Sequence, residues 1–297
     1  MPITRGTRDT FMGYAYLAPG LIILAIFSLW PVLDTIVISF QRYRLNELKG
    51  SWIGLKNYAQ LFRTDDLLNA TKNGFIWMFL TVSLQIVLGV TFALILNTKF
   101  FGRGVVRAIV VLPFFLPGMS MALTWRWMYY DFNGIINYTL TRMHLIQEPI
   151  LWLSSTRLAL VAVAIQAVWH YTPFVVINCL ARLAIINKNL YECAKLDGAG
   201  SFRMFFSITL PQLRGVLLIV VLLRGIWMFN KFAEIHIITG GGPAGATTTL
   251  PILAHDLAFG AFRIGEGSAV NVFIFLLLLI IAILYLYLFK PARELEV

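Results

Sequence analysis

Six long stretches almost free of charge run through this chain: Leu17–Ser39, Gly74–Leu96, Ala108–Tyr130, Leu158–Ala181, Gly215–Ile238 and Ser268–Phe289. A helix rises about 1.5 Å per residue, so roughly 20 apolar residues cross a hydrocarbon core about 30 Å thick. The second, fourth and sixth stretches contain no Asp, Glu, Lys or Arg. They are far too long for barrel strands, which need about 9–11 residues with strict alternation. Composition agrees: 59% of residues are hydrophobic and 13% charged, against about 25% charged in soluble domains. An ordinary soluble enzyme, a disordered chain and a disulfide scaffold are excluded. The pattern predicts an all-α integral membrane protein with six transmembrane helices. With no internal repeat and no linker, residues 1–297 read as a single transmembrane domain.

The net charge is +10. In a soluble protein that would point to nucleic acid; here basic loops flanking spans account for it, and no nucleic-acid partner is expected. With the N-terminus inside, the inner segments 1–16, 97–107, 182–214 and 290–297 hold 12 Lys and Arg, and the outer segments nine. Six of those nine crowd into residues 41–72. The bias favours both termini inside, and the first outer loop stands out against it. Met1–Thr10 leads into an uncleaved first span rather than a removed signal. Cys179 lies in an apolar run and Cys193 in a basic loop, so neither a disulfide nor a metal site is expected. Residues 52–62 have amphipathic spacing and aromatic ends, as an outer-face helix would.

Residues 182–214 are longer than a plain helix connection, which commonly takes about 2–8 residues. Asn189 is placed as an N-cap with Glu192 three residues on, in capping-box spacing. Gly198 and Gly200 end that helix. Ser201 caps a second, carrying Phe202, Phe205, Phe206 and Ile208, which Pro211 stops. The expected result is a helix–turn–helix with exposed aromatics on the inner face. It can be read as an amphipathic lid on lipid or as a docking knob for a soluble partner.

Glu192, Cys193 and Ala194, then two residues, then Asp197, Gly198 and Ala199, then five residues, then Phe205, Ile208, Leu210 and Pro211 resemble the signature loop of ABC-importer permeases. That pattern is E-A-A, two residues, D-G-A, five residues, F-x-x-I-x-L-P. Cys193 at the first alanine is the one departure, and it keeps a small side chain. Thr239 to Pro243, followed by Thr247, Thr248, Thr249 and Leu250, are similar to the outer loop after span five in carbohydrate permeases of the maltose and glycerol-phosphate type, in the first of their two unequal permease subunits. The Gly-Leu-Lys-Asn-Tyr element at 54–58 is similar to their first outer loop. The resemblance implies the ABC-importer permease fold in a bacterial inner membrane. The loop would couple to an ATPase subunit through Glu192, Ala194, Asp197, Gly198, Ala199 and Phe205. The implied partners are a second permease, two ATP-binding cassette subunits, an extracytoplasmic sugar-binding protein and the bilayer. ATP and Mg would be bound by the partner ATPase subunits, with no cofactor in this chain.

The chain lacks a phosphate-binding G-x-x-x-x-G-K-[ST] loop. The nearest run, Gly240 to Thr247, has Ala246 where the lysine must be. His144, His170, His236 and His255 share no metal-ligand spacing, and there is no G-x-S-x-G. The chain itself therefore reads as no enzyme. Charges inside spans usually face a cavity or a partner. In span five Arg224, Trp227, Lys231 and Glu234 fall on one helical face with Asn230 beside it. Either Lys231 and Glu234 pair with each other while Arg224 reaches a neighbouring helix, or Trp227, Asn230, Lys231 and Glu234 line a substrate path. Span four adds Trp169, Tyr171 and Asn178, with Pro173 freeing the Trp169 carbonyl; the alternatives there are a kinked midplane site and ordinary core packing. Trp125 and Trp127 read as interface anchors and Gln85 as helix–helix glue. The function expected is ATP-driven import of a sugar or sugar derivative by alternating access. An ion-gradient transporter and an ABC importer for another solute are the alternatives, and an integral membrane enzyme ranks last.

Overall fold

The structure is a computed structural model that describes residues 5–44, 47 and 49–289, with side chains from residue 12 onward. Lys290 and Arg293, and the side chains of Arg5 and Arg8, used above for orientation, lie outside the described residues. Among the described residues, five helices are long and apolar enough to span a membrane: Met12–Ser39, Asp65–Asn97, Ala159–Ile185, Ser201–Phe229 and Ile264–Phe289. A sixth span is a bent pair, Arg103–Phe115 and Gly118–Met128, which meet at 97°. Six spans are thus present among the described residues, the third of them as this bent pair.

The chain forms two compact units. The first comprises residues 1–64 and 253–275. In it α1 (Arg5–Leu24) continues through a π turn at Ala25–Leu29 into α2 (Trp30–Ser39). Large side chains along this span, Phe27 and Trp30 among them, stay exposed. β1 (Gln41–Arg42) pairs antiparallel with β2 (Ser51–Trp52). The helix expected over 52–62 is only α3 (Lys56–Leu61), because Trp52 is taken by the strand and Gly54 turns the chain at φ +63°. The Gly-Leu-Lys-Asn-Tyr element is a staple. The buried Asn57 amide donates to the carbonyls of Ser39 (2.8 Å) and Gln41 (2.9 Å), and Tyr58 shares a hydrogen bond with Ser39.

The second unit comprises residues 65–252 and 276–297. It holds α4 (Asp65–Asn97), α5 (Arg103–Val111), α6 (Gly118–Met128), α7 (Ile135–Arg142), α8 (Ala159–Ile185), α9 (Lys188–Leu196), α10 (Ser201–Met204), α11 (Leu210–Phe229) and α12 (Ala233–Thr239). Two further elements follow in the chain, the short α13 (Leu250–His255) and the last span α14 (Ile264–Phe289), each divided between the units. The core of the second unit is α8, buried along most of its length. Val175, Val176, Cys179 and Leu183 pack with Val90, Ala93 and Leu96 of α4 and with Leu213 and Val220 of α11. Gly89 lets α4 and α8 approach closely: a Cβ there would lie 2.5 Å from that of Val175.

Two expected spans have other bounds. The stretch Ala108–Tyr130 breaks at Leu116, whose extended backbone (ψ 141°) precedes Pro117, the N-cap of α6; a residue before proline is pushed out of the helical region. The stretch Gly215–Ile238 ends earlier, at Phe229, and resumes as α12 after a three-residue joint. Pro173, by contrast, sits inside an unbroken α8.

Candidate functional site: the elbow and the polar knot

The 182–214 loop folds into a stiff elbow. Its first arm is α9, capped by Asn187, whose side chain accepts from the Asn189 amide at 3.0 Å. The cap lies two residues before the expected Asn189, because Asn187 is the last residue in extended conformation. At the other end the Ala199 amide bonds the Ala194 carbonyl (2.9 Å) and the Gly198 amide bonds the Lys195 carbonyl (3.0 Å), with Gly198 at φ +77°. This is a Schellman termination, so Asp197, Gly198 and Ala199 are the C-cap of α9.

The second arm is not a separate helix. Gly200, not Ser201, is its N-cap, and it runs through a π turn at Phe205–Thr209 into α11, giving one helix over Ser201–Phe229. Pro211 does not stop it. Proline at the first turn of α11 forfeits an amide bond, and the π turn just before it absorbs the misfit. Two ties hold the elbow: Tyr191 to Thr209 at 3.0 Å, and Arg182 to the carbonyl and side chain of Gln212 at 2.9 and 3.0 Å. Glu192, Asp197 and Gly198 are exposed, while Ala194 and Ala199 are half-buried. Phe205 packs on the core with Tyr191. The apolar groups projecting from the tip are Leu196 (88% exposed) and Phe202 (84%).

The second assembly lies where α11 ends. Tyr171 of α8 donates to Glu234 of α12, and Lys231, in the joint, donates to Tyr171 and pairs with Glu234 at 2.9 Å. Arg224, 2% exposed, donates to Gln85 of α4 at 2.8 Å. Its guanidinium lies over the rings of Tyr171 (4.6 Å), Trp227 (5.7 Å) and Phe174 (5.8 Å). Ring faces and an amide thus solvate a cation with no carboxylate partner among the described residues. Gly118, the first residue of α6, leaves room for Glu234, since a Cβ there would sit 3.1 Å from its carboxylate. Both broken spans therefore meet at Glu234.

The expected residues divide. Tyr171, Trp227, Lys231 and Glu234 come together, but a helix break, not helical periodicity, brings Lys231 and Glu234 in. The internal pairing is present, Arg224 reaches α4 through Gln85, and Lys231 still keeps a quarter of its side chain exposed. Trp169 (41% exposed) stands one face away against Trp125, with centroids 5.7 Å apart. Asn230 is the exposed C-cap of α11. Asn178 donates to the Phe174 carbonyl of its own helix at 2.7 Å and joins no polar cluster among the described residues. Sequence reasoning misses Gly118 and Phe174; the only sequence signal for Gly118 is the proline before it. The Gly-Gly-Gly-Pro loop is internally laced: Thr247 bonds Thr239 (2.7 Å) and the Gly242 carbonyl (2.8 Å), and Asn73 of α4 holds the carbonyls of Gly245 and Thr248, each at 3.0 Å.

The family model described as binding-protein-dependent transport system inner membrane component matches residues 85–294. The chain belongs to this family. The permease is 38% identical over 268 residues to the trehalose/maltose transport system permease protein MalF of Thermococcus litoralis, covering 89% of each chain. It is 32% identical over 269 residues to the inner membrane ABC transporter permease protein YcjO of Escherichia coli, covering 90% of each. It is 31% identical over 265 residues to the sulfoquinovosyl glycerol transport system permease protein SmoG of Agrobacterium fabrum, covering 89% of this chain and 85% of that one. In fold it is similar to a chain of a bacterial ABC transporter involved in import of the acidic polysaccharide alginate, with a TM-score of 0.84, 22% identity and 99% of both chains covered. The permease is a multi-pass inner-membrane protein of the ABC-importer class.

Proposed function

We propose that this permease carries a sugar or sugar derivative inward by alternating access, driven by ATP that separate subunits hydrolyse. The observation that carries the reading is the elbow: a capped helix whose second arm is the same rod as a membrane span. A partner that moves α9 moves α11. Glu192, Asp197 and the exposed Leu196 and Phe202 form the docking face. Gly198 holds its turn, while Ala194, Ala199 and Phe205 seat it. The N-terminus and the elbow lie on the cytoplasmic side, where the excess of cations falls.

ATP and Mg belong to two cassette subunits below. A second permease completes the path, and an extracytoplasmic binding protein delivers the cargo; the relatives transport trehalose and maltose, and sulfoquinovosyl glycerol, by their names. Trp227 and Trp169 offer ring faces to the C–H face of a sugar ring, and Asn230, Lys231, Glu234 and Tyr171 offer donors and acceptors to its hydroxyls. Asn178, farther along α8 toward the cytoplasmic side, is the last residue of this path.

The test is ATPase activity and uptake by the reconstituted complex with its binding protein, across neutral and acidic sugars. One or more sugars should stimulate both. Trp227→Ala and Asn230→Ala should cut uptake while cassette-subunit binding persists. Uptake driven by an ion gradient without nucleotide would refute the reading.

A further inference from the structure

The first outer loop carries cations that the orientation rule does not account for, and the last of them, Lys72, sits at the mouth of an apolar groove. Lys72 lines a shallow hollow on α4 with Phe75 and Phe79. The hollow shares Phe75, Phe79 and Ser83 with a deeper cavity of about 650 Å³, walled by Val82 of α4, Gly225 of α11 and Ile281 of α14. Together they make one channel down the outside of the helices. It opens sideways to the bilayer: Phe79 and Val87 on its rim are 63% and 62% exposed.

Depth and chemistry select the occupant. The apolar part of α4 begins at Gly74, so Lys72 stands at the level of lipid headgroups. From Lys72 to Val87, 15 residues along the helix, is about 22 Å, which takes the groove past the bilayer midplane, about 15 Å below the hydrocarbon edge. Ser83 and Tyr285 are the polar residues lining the deep cavity, and the Tyr285 hydroxyl is committed to the Leu218 carbonyl at 2.8 Å. A sugar would find almost nothing there to bond. Asp65 and Asp66, the next charges along α4, lie about 9–10 Å farther out, beyond a phosphate seated at Lys72.

We infer that this groove binds an anionic phospholipid of the outer leaflet, with its phosphate on Lys72 and an acyl chain laid past Phe79 against Gly225 and Ile281. The assignment rests on the N-inside orientation proposed above, but not on the cargo. Gly225 gives a clean way to close the groove. It is helical, and a Cβ there meets only Met78 Sδ, at 3.7 Å, so a larger side chain fills the cavity without forcing the backbone.

The experiment is native mass spectrometry and lipid exchange on the intact transporter in nanodiscs of phosphatidylcholine with a minority of phosphatidylglycerol. The complex should retain phosphatidylglycerol in preference. Lys72→Gln should lower that preference about fivefold, the worth of one lysine at an anionic surface, and leave total lipid retained unchanged. Gly225→Phe should release the lipid of both headgroups. A benzophenone side chain at Ile226 should label lipid. Labelling of the second permease there would overturn the inference, because a protein helix would then fill the groove. Equal retention of both lipids by the unmodified complex would overturn it too. Because the readouts are lipid retention and labelling, they hold or fail independently of whether the transporter moves sugar.

Discussion

Gly198 and Gly200 flank the turn of the elbow, and both look into open space: a Cβ added at either would meet no heavy atom within 4 Å. They differ in backbone alone: Gly198 is at φ +77° and Gly200 at φ −72°. An L-residue in the left-handed region costs about 1–2 kcal/mol, and a β-branched one sits at the upper end. Gly198→Val therefore adds about 2 kcal/mol with no steric clash. That shifts the elbow between closed and frayed forms by a factor of about 30. The frayed form lacks the Schellman bonds, so hydrogen exchange at the amides of position 198 and Ala199 should quicken by up to that factor. Sugar uptake should fall while the protein still inserts. Gly200→Ser, at an extended N-cap where serine is preferred, should leave exchange and uptake as they were. Unchanged exchange in Gly198→Val, or equal damage from Gly200→Ser, would refute the backbone argument.

Gly89→Ala forces a methyl to 2.5 Å from Val175 and should destabilise the second unit by about 1–3 kcal/mol; adding Val175→Ala should restore most of it, read as the coupling in a double-mutant cycle of thermal unfolding in detergent. Gln85→Leu deprives the buried Arg224 of its side-chain oxygen partner and should cost about 1–3 kcal/mol; Gln85→Leu with Arg224→Met should cost less than the sum of the two single changes. Gln166 is fully buried, and neither amide atom has a partner among the described residues. Gln166→Leu should leave the melting temperature unchanged or raise it, and a drop of several degrees would reveal a bound water that the glutamine holds.

Much of this architecture is written in the sequence because lipid permits so little else. A hydrocarbon core demands about 20 apolar residues per crossing, so the spans are visible as lengths. Gly198 is legible for a similar reason, since few residues other than glycine end a helix in the left-handed region. What stays hidden depends on contacts far along the chain. Phe229 to Phe232 carries neither Pro nor Gly, yet the helix ends there. The Trp77 indole donates to the Met228 carbonyl at 2.8 Å, and Lys231 is drawn to Tyr171 and Glu234. No local propensity reports such pulls. Pro211 misleads in the opposite sense: it reads as a stop, but a π turn of five residues before it lets the helix continue. In span three the prolines mark the break, while the contacts of α6, beyond the 97° bend, are with α12 and α8 and involve residues far along the chain.

The two assemblies are the two ends of one rod. The helix from Ser201 to Phe229 has 29 residues, or about 43 Å, and its core-facing side is fixed by Leu213, Val220 and Met228, all essentially inaccessible. Such a rod transmits displacement better than it bends, so under the proposed coupling work applied at Gly200 would arrive at Asn230. There the backbone is already broken, and the next contacts are a three-membered polar knot and a glycine with room for one carboxylate. A continuous span would spread the same displacement through its hydrogen bonds. A span interrupted at this point would concentrate it on Lys231, Tyr171 and Glu234, and if the proposed path runs there, exchanging a few hydrogen bonds with a sugar's hydroxyls would cost little net free energy. On the proposed coupling, the break in span five is what would let a push on the elbow become a change in the shape of the path.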